Sequence, residues 1–252
     1  QPLQKRLDPF LMLDAFGSDS ASDYVGGFPD HPHRGFETVT IMLEGRMRHR
    51  DSVGNVGLLE PGSVQWMTAG RGLVHSEMPE QQEGRMRGFQ LWVNLPAADK
   101  MGEPRYQEFA PDQIPVVTPT TGVSVKVIAG QVGDVVGPIQ QPATQPLYLD
   151  ITLDPGAVWN TTLPPGHNAF AYVFEGAASL GEGDSARLLQ THELGVVGGG
   201  DHLVATAGGE GARLLLVAGR PLREPIARHG PFVMNTREQL MQAFVDYQEG
   251  RF

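Results

Sequence analysis

Two short segments carry residue types that could do chemistry. His31-Pro32-His33 sets two imidazoles two residues apart, and His75-Ser76-Glu77 sets an imidazole and a carboxylate at the same spacing. Side chains at i and i+2 of a β-strand point to one face. Each segment therefore offers a pair of ligands aimed one way, and two such segments meeting across a barrel would bring four ligands to one point. Neutral imidazole together with carboxylate suits Fe, Mn, Co, Ni, Cu or Zn. Three histidines and one glutamate leave open positions on a six-coordinate ion, where substrate or O2 can enter. A closed structural zinc site more often uses thiolates, and the chain has no cysteine. The expectation is one divalent metal ion of the catalytic type, held by His31, His33, His75 and Glu77.

The other candidates are weaker. Pro32 cannot donate to a ladder, which puts the first pair at a strand edge or in the approach to a strand. His49 alternates with Met47 and Asp51 and reads as a surface position; His167, His192, His202 and His229 lack close partners in sequence and read as structural. No nucleophile elbow is present for Ser-His-Asp chemistry. Gly198-Gly199-Gly200 does not stand before a helix, as a phosphate loop would, and reads as a turn between strands.

The elements that must position these residues are strands. Gly and Pro number 32 and 20 of 252 residues, about a fifth of the chain against roughly 12% in average proteins. They punctuate short apolar runs such as Thr38–Leu43, Phe89–Val93, Val123–Ile128, Tyr148–Leu153 and Arg213–Val217. Asp51–Asn55 and Leu59–Gly62 read as turns. This texture predicts an all-β sandwich or barrel. An internal repeat sharpens the prediction. Phe36–Gly45 resembles His167–Gly176, Val56–Gly70 aligns without a gap on Leu194–Gly208, and Phe89–Val93 is answered by Arg213–Val217. Two copies of one small β-barrel explain this. Scaffold positions recur, whereas the His-x-His and His-x-Glu pairs do not, so the ligand residues are not scaffold. The expected division is 1–130 for a metal-binding N-terminal domain, 131–230 for a second domain without ligands, and 231–252 for a helical tail. In the tail, Thr236-Arg237-Glu238-Gln239 has capping-box spacing, Leu240, Met241, Phe244, Val245 and Tyr247 or Gln248 follow at helical intervals, and Gly250 stops the helix.

Composition excludes several functions. Without cysteine there are no disulfides, thiolate metal sites, Fe–S clusters or cysteine nucleophiles. A formal net charge of −10 repels phosphate backbones and anionic lipid, which argues against direct nucleic-acid or membrane contact. The run Arg46–Arg50, cut off by Asp51, reads as a solvated strand face. No apolar run reaches the length of a membrane span, and the opening Gln1-Pro2-Leu3-Gln4-Lys5-Arg6 is followed by no apolar leader core. The expected location is cytoplasmic.

The sequence resembles the pirin family of the cupin superfamily. The resemblance is carried by Asp8–Asp14 (DPFLMLD), Phe28–Thr40 (FPDHPHRGFETVT), His49–Asn55 (HRDSVGN), Met67–Glu77 (MTAGRGLVHSE) and Leu91–Pro96 (LWVNLP), and it continues through the tail. It implies two tandem cupin domains, each a jelly-roll β-barrel, with a C-terminal helix. It also implies iron, as Fe(II), in the N-terminal domain on His31, His33, His75 and Glu77, which match the family's ligand pattern one by one. Glu37, where many cupins keep a carboxylate ligand, is then an outer or structural residue, and the C-terminal domain is metal-free.

Members of the family resemble flavonol dioxygenases in activity. The implied reaction opens quercetin between C2 and C3 of its central ring with O2 and releases carbon monoxide. Glu77 is then the candidate base that takes the proton of the flavonol 3-hydroxyl. The resemblance also implies a rival role, an iron-binding, redox-responsive regulator that acts through a protein partner. The net charge does not oppose contact of that kind.

Overall fold

The computed structural model describes residues 3–198 and 201–252; Gly199 and Gly200, in the stretch read from the sequence as a turn, lie outside these. Two compact units emerge from the contacts: Phe10–Pro111 with Leu222–Phe252, and Gln1–Pro9 with Asp112–Pro221. This grouping departs from the linear partition at both ends. The tail belongs with the N-terminal barrel, and the first residues belong with the second one, where Asn168 Nδ2 donates to the carbonyls of Lys5 (3.2 Å) and Asp8 (2.6 Å).

The first unit contains β1 (Phe10–Ser18), β2 (Phe28–His33), β3 (Phe36–Glu44), β4 (Met47–Asp51), β5 (Val56–Leu59), β6 (Val64–Thr68), β7 (Leu73–Pro79), β8 (Met86–Asn94) and β9 (Arg105–Phe109). They form two sheets, ordered β1-β8-β3-β6-β9 and β2-β7-β4-β5. The period of two read in the sequence is plain in β4, where Met47, His49 and Asp51 are buried and Arg48 and Arg50 are exposed. The arginines of the basic run are thus a solvated face, and Arg48 pairs with Glu80 at 2.6 Å. Both predicted turns form. Asp51 Oδ1 accepts from the amides of Val53 and Asn55, and Gly62 takes φ +91°, a conformation open to glycine because it has no Cβ.

The second unit contains β10 (Val123–Ala129), β11 (Leu147–Leu153), β12 (Val158–Thr162), β13 (Asn168–Leu180), β14 (Arg187–Gln190), β15 (Leu194–Val197) and the long β16 (His202–Gly219). Pairs β10·β11, β11·β16, β16·β13 and β13·β14 form the main path of its sheet, with β12 on β16 and β15 on β13. Its interior is a continuous apolar cluster that runs from Val123 and Leu149 through Trp159 and Val173 to Leu216.

Strand register tests the internal repeat. Ile41 pairs with Val64, and Tyr172 with Leu194, which keeps Phe36–Gly45 matched to His167–Gly176. Leu194 therefore corresponds to Val64, not to Val56 as the gapless alignment had it. The last stretch shifts as well: Val39 pairs with Leu91 and Phe170 with Val217, so Val217 corresponds to Leu91. Glycine turns recur between many of the strands, so an alignment anchored on glycines can slide along the hairpins without losing its matches.

After β17 (Phe232–Met234), the chain ends in the helix Arg237–Gln248. Its capping box forms as predicted, with the Gln239 amide donating to Thr236 Oγ1 (3.2 Å) and the Thr236 amide donating to Gln239 Oε1 (3.1 Å). Leu240 and Ala243 are buried against β17, whereas Met241, Val245 and Tyr247 are exposed. The inward face is narrower than the predicted stripe.

Candidate metal centre

β2 and β7 run antiparallel with His31 opposite His75 and His33 opposite Leu73. Opposed residues of neighbouring strands share a face, so both histidine segments turn their ligand pairs inward. The donor atoms of His31, His33 and His75 all lie within 4.8 Å of one another, the one group of this kind among the described residues. Ring centroids are 4.4 Å apart for His31–His75, 4.8 Å for His31–His33 and 5.0 Å for His33–His75.

The protonation pattern suits a cation. His31 Nδ1 lies 2.8 Å from the Pro29 carbonyl. A carbonyl only accepts, so Nδ1 carries the hydrogen and Nε2 keeps its lone pair. Both ring nitrogens of His75 are buried without a hydrogen-bond partner, and those of His33 are buried with only the Pro231 carbonyl close by, outside good hydrogen-bond geometry. Leaving such atoms unsatisfied costs about 1–3 kcal/mol each, and a metal ion satisfies one nitrogen per ring. Burial pushes the His75 imidazole down to about 3, helped by the neighbouring histidines. Burial, then His75 and His31, push His33 well below its ordinary value, against the Pro231 carbonyl. Both rings are therefore neutral at physiological pH, the form that ligates.

Glu77 is placed differently from the three histidines. It lies on the same face of β7 as His75 and is 2% exposed. Its carboxylate accepts from Gln90 Nε2 (3.0 and 3.3 Å) and from Thr40 Oγ1 (3.3 Å). Trp92 Nε1 donates to Gln90 Oε1 at 3.0 Å; indole nitrogen can only donate, so it fixes which end of the Gln90 amide faces Glu77. Burial pushes the Glu77 carboxyl up, against those hydrogen bonds and the nearby imidazoles. Thr40, Gln90 and Trp92 escaped the sequence reading. Their signal was a polar residue on otherwise apolar strands, with Gln90 two residues from Trp92.

His49 corrects the sequence reading. It is 3% exposed and stands opposite Glu77 in the β4·β7 pair, on the inner face. Its Nε2 donates to Glu108 Oε2 at 2.7 Å, and Gln65 Nε2 donates to the same oxygen at 2.8 Å. Although burial pushes Glu108 up, these hydrogen bonds hold it below the ordinary carboxylate range. A Cβ at Gly57 would collide with His49 Nε2, so glycine in β5 makes room for the pair. Glu37 lies on the other face of β3 from Thr40 and accepts from Thr68 Oγ1 at 2.6 Å, a structural role. His167 and His192 hydrogen-bond within the second unit, to the Gln145 carbonyl and to Tyr172.

A cavity of about 220 Å³ lies at the end of the barrel beyond Glu77. Phe16, Tyr24, Phe28, Met47, Pro79 and Met86 give it an apolar, aromatic wall. Phe28 is the register partner of Glu77; Met47 and Pro79 pair with one another, each two residues from His49 and Glu77 respectively. At the opposite end Phe36 and Trp92 pack against Val233 of the tail.

Comparison with known proteins settles the family. The model for pirin matches residues 1–93, and the model for the pirin C-terminal cupin domain matches residues 148–252. The chain belongs to the pirin family. A pirin-like protein of Caulobacter vibrioides is 55% identical over 252 residues, 100% of this chain and 90% of the relative. The crystal structure of a quercetin 2,3-dioxygenase from Acinetobacter baumannii superposes with a TM-score of 0.91 at 35% identity, over 100% of this chain and 88% of that one. The bacterial pirin YhhW of Escherichia coli, in complex with nickel(II), shares the fold, with a TM-score of 0.67 at 20% identity over 88% of this chain and 86% of that one. The two tandem barrels of this pirin-family chain are thus a bicupin with a C-terminal helix. Among the described residues no helix is long and apolar enough to cross a membrane.

Proposed function

We propose that this chain is a metal-dependent dioxygenase that opens a flavonol such as quercetin with O2 and releases carbon monoxide. The observation that carries the reading is the convergence of three imidazoles, two of them, His33 and His75, buried and held neutral, together with the buried Glu77 carboxyl and an aromatic-walled cavity near Phe28 and Pro79. The similarity to a quercetin 2,3-dioxygenase supports the choice of substrate class. His31, His33 and His75 would hold one divalent ion, with Glu77 as fourth ligand. Fe(II) is the assignment, and Mn, Co, Ni, Cu or Zn suit the same donors; nickel(II) in the fold relative accords with a divalent ion. Such an ion supplies Lewis acidity toward the flavonol 3-oxygen and a place to bring O2 beside the ring.

The chain's own residues do the rest. Phe16, Phe28, Met47 and Met86 would present an apolar surface to a flat aromatic ring. Glu77 takes the 3-hydroxyl proton, and its raised affinity for protons brings it closer to working pH than an exposed carboxylate. Gln90 and Thr40 hold the carboxyl in place while its charge changes, since each can donate to the ionised form. Anaerobic reconstitution with Fe(II), followed by parallel measurement of quercetin loss, O2 uptake and carbon monoxide, tests the proposal. The expected result is one O2 consumed per quercetin, with turnover abolished in His31→Ala. A fully loaded site without turnover would remove the quercetinase reading and favour a metal-responsive partner of another protein.

A further inference from the structure

The tail of the chain returns to the two strands that carry the histidines and grips them at the end away from the cavity. Arg34 follows His33 directly. Its guanidinium is buried, with the side chain 4% exposed. Arg34 Nη1 reaches Asp246 Oδ2 of the C-terminal helix at 2.6 Å. Its Nε donates to the Arg71 carbonyl, in the turn that leads into β7. The guanidinium carbon lies 4.3 Å from the centre of the Phe252 ring. That ring also seals the turn, because a Cβ on Gly72 would come within 2.8 Å of it.

The backbone repeats the grip. The Arg34 amide donates to the Pro231 carbonyl (3.3 Å), the Val233 amide to the Arg34 carbonyl (3.0 Å), and the Gly35 amide to the Gly70 carbonyl (2.9 Å). Lys100, 1% exposed, donates from Nζ to the carbonyls of Gly35 (2.6 Å) and Val233 (3.0 Å) and to Asn94 Oδ1 (2.6 Å). The residue after His33 and the turn before His75 are thereby fastened to one another and to the tail.

We infer that the segment Leu222–Phe252 is a clamp on the metal centre, in which Arg34, Asp246 and Phe252 act as positioning residues that fix β2 against β7 and so set the spacing of His33 and His75. The inference rests on the reading of the histidines as a metal site. The physical reason lies in Arg34. A buried guanidinium tolerates its place only while its counter-charge and acceptors are present. Without Asp246 it must turn toward water, and it then releases the Arg71 carbonyl and the entry to β7. Asp246 is fixed in turn by Gln242 Nε2 at 2.8 Å and by Arg251.

The test uses the full chain and Co(II) alone, with visible absorption as the report of ligand geometry. Asp246→Asn removes the counter-charge with little change of shape, and Phe252→Ala removes the ring at the chain's last residue. Met241→Ala, on the exposed face of the same helix, is the control. Transfer of Co(II) from each folded protein to excess EDTA is timed below every melting temperature. The clamp predicts release faster by about tenfold to a hundredfold in Asp246→Asn and Phe252→Ala, the range found when outer-shell support of a metal ligand is lost. It also predicts a shifted visible spectrum in those two and neither change in Met241→Ala. A merely structural role would lower the melting temperature of the metal-free variants while leaving spectrum and release rate as in the wild type, and that result overturns the clamp and spares the metal site. Failure of the wild type to take up Co(II) removes both.

Discussion

The two barrels share one plan and differ where the first has its candidate ligands. In the first, Met47 pairs with Pro79 and His49 with Glu77; in the second, Ala178 pairs with Ala207 and Leu180 with Ala205. With Phe36–Gly45 matched to His167–Gly176, Leu180 stands where His49 does, so Ala205 of β16 stands where β7 has Glu77 and Leu203 where it has His75. The facing strand agrees: Leu203 pairs with Thr161, as His75 pairs with His31, and the Leu163 amide donates to the Asp201 carbonyl where His33 faces Leu73. Thr161, Leu163, Leu203 and Ala205 thus stand where the first barrel has its two candidate pairs. Leu163, Leu203 and Ala205 belong to a continuous apolar core. Two leucines, a threonine and an alanine occupy the space that three imidazoles and a carboxylate share in the other unit. An interior is filled at close-packed density whichever set is chosen. The same scaffold therefore gives an inert core in one unit and a polar pocket with unsatisfied nitrogens in the other.

Three changes probe that contrast. The largest effect is expected from Glu77→Gln. The amide keeps the shape and the place beside Gln90 and Thr40 but is not a base. Turnover of the Fe(II)-loaded protein should fall by roughly 10²–10⁴-fold while most metal is retained, as read by metal analysis and quercetin loss in the same samples. Retained turnover would leave the four-residue contrast one of metal binding alone.

The next effect concerns acid. In the metal-free protein His75 titrates near 3 when folded, against about 6.5 when unfolded. The unfolded chain therefore takes up the proton first, and stability is lost as pH falls from about 6.5 toward 3, with a slope of up to ~1.4 kcal/mol per pH unit for each such proton. His33 is shifted in the same direction and steepens the loss. The corresponding residues of the second barrel cannot titrate. Urea unfolding at a series of pH values should show this slope in the metal-free wild type and a slope shallower by about one proton in His75→Ala. Equal slopes would mean that the imidazole is not buried neutral.

The smallest effect is expected in the second barrel. Ala205→His puts an imidazole against Trp159 in a filled apolar core and should lower stability by about 1–3 kcal/mol through overpacking, without creating affinity for Co(II). Thermal melting with and without Co(II) checks both parts. Stabilisation by the metal would show that Trp159 can yield the space.

The sequence by itself determined the strand character, the turns, the presence of two related barrels and the two same-face pairs proposed as ligands. These are local properties: period-two alternation, glycine and proline at turns, and the i, i+2 spacing of His31 with His33 and of His75 with Glu77. It also determined the capping box at Thr236, because that motif closes within four residues. Only the tertiary structure decided which residues meet. His49 looked exposed because strand alternation does not say which face turns inward; its place opposite Glu77 follows from the pairing of β4 with β7. The equivalence of Leu203 with His75 was hidden because glycine turns align equally well one hairpin away. The Gln90–Glu77 and Arg34–Asp246 contacts join residues 13 and 212 positions apart, and no local pattern carries that information. Propensity and spacing act along the chain, whereas burial, register and counter-charge act across it.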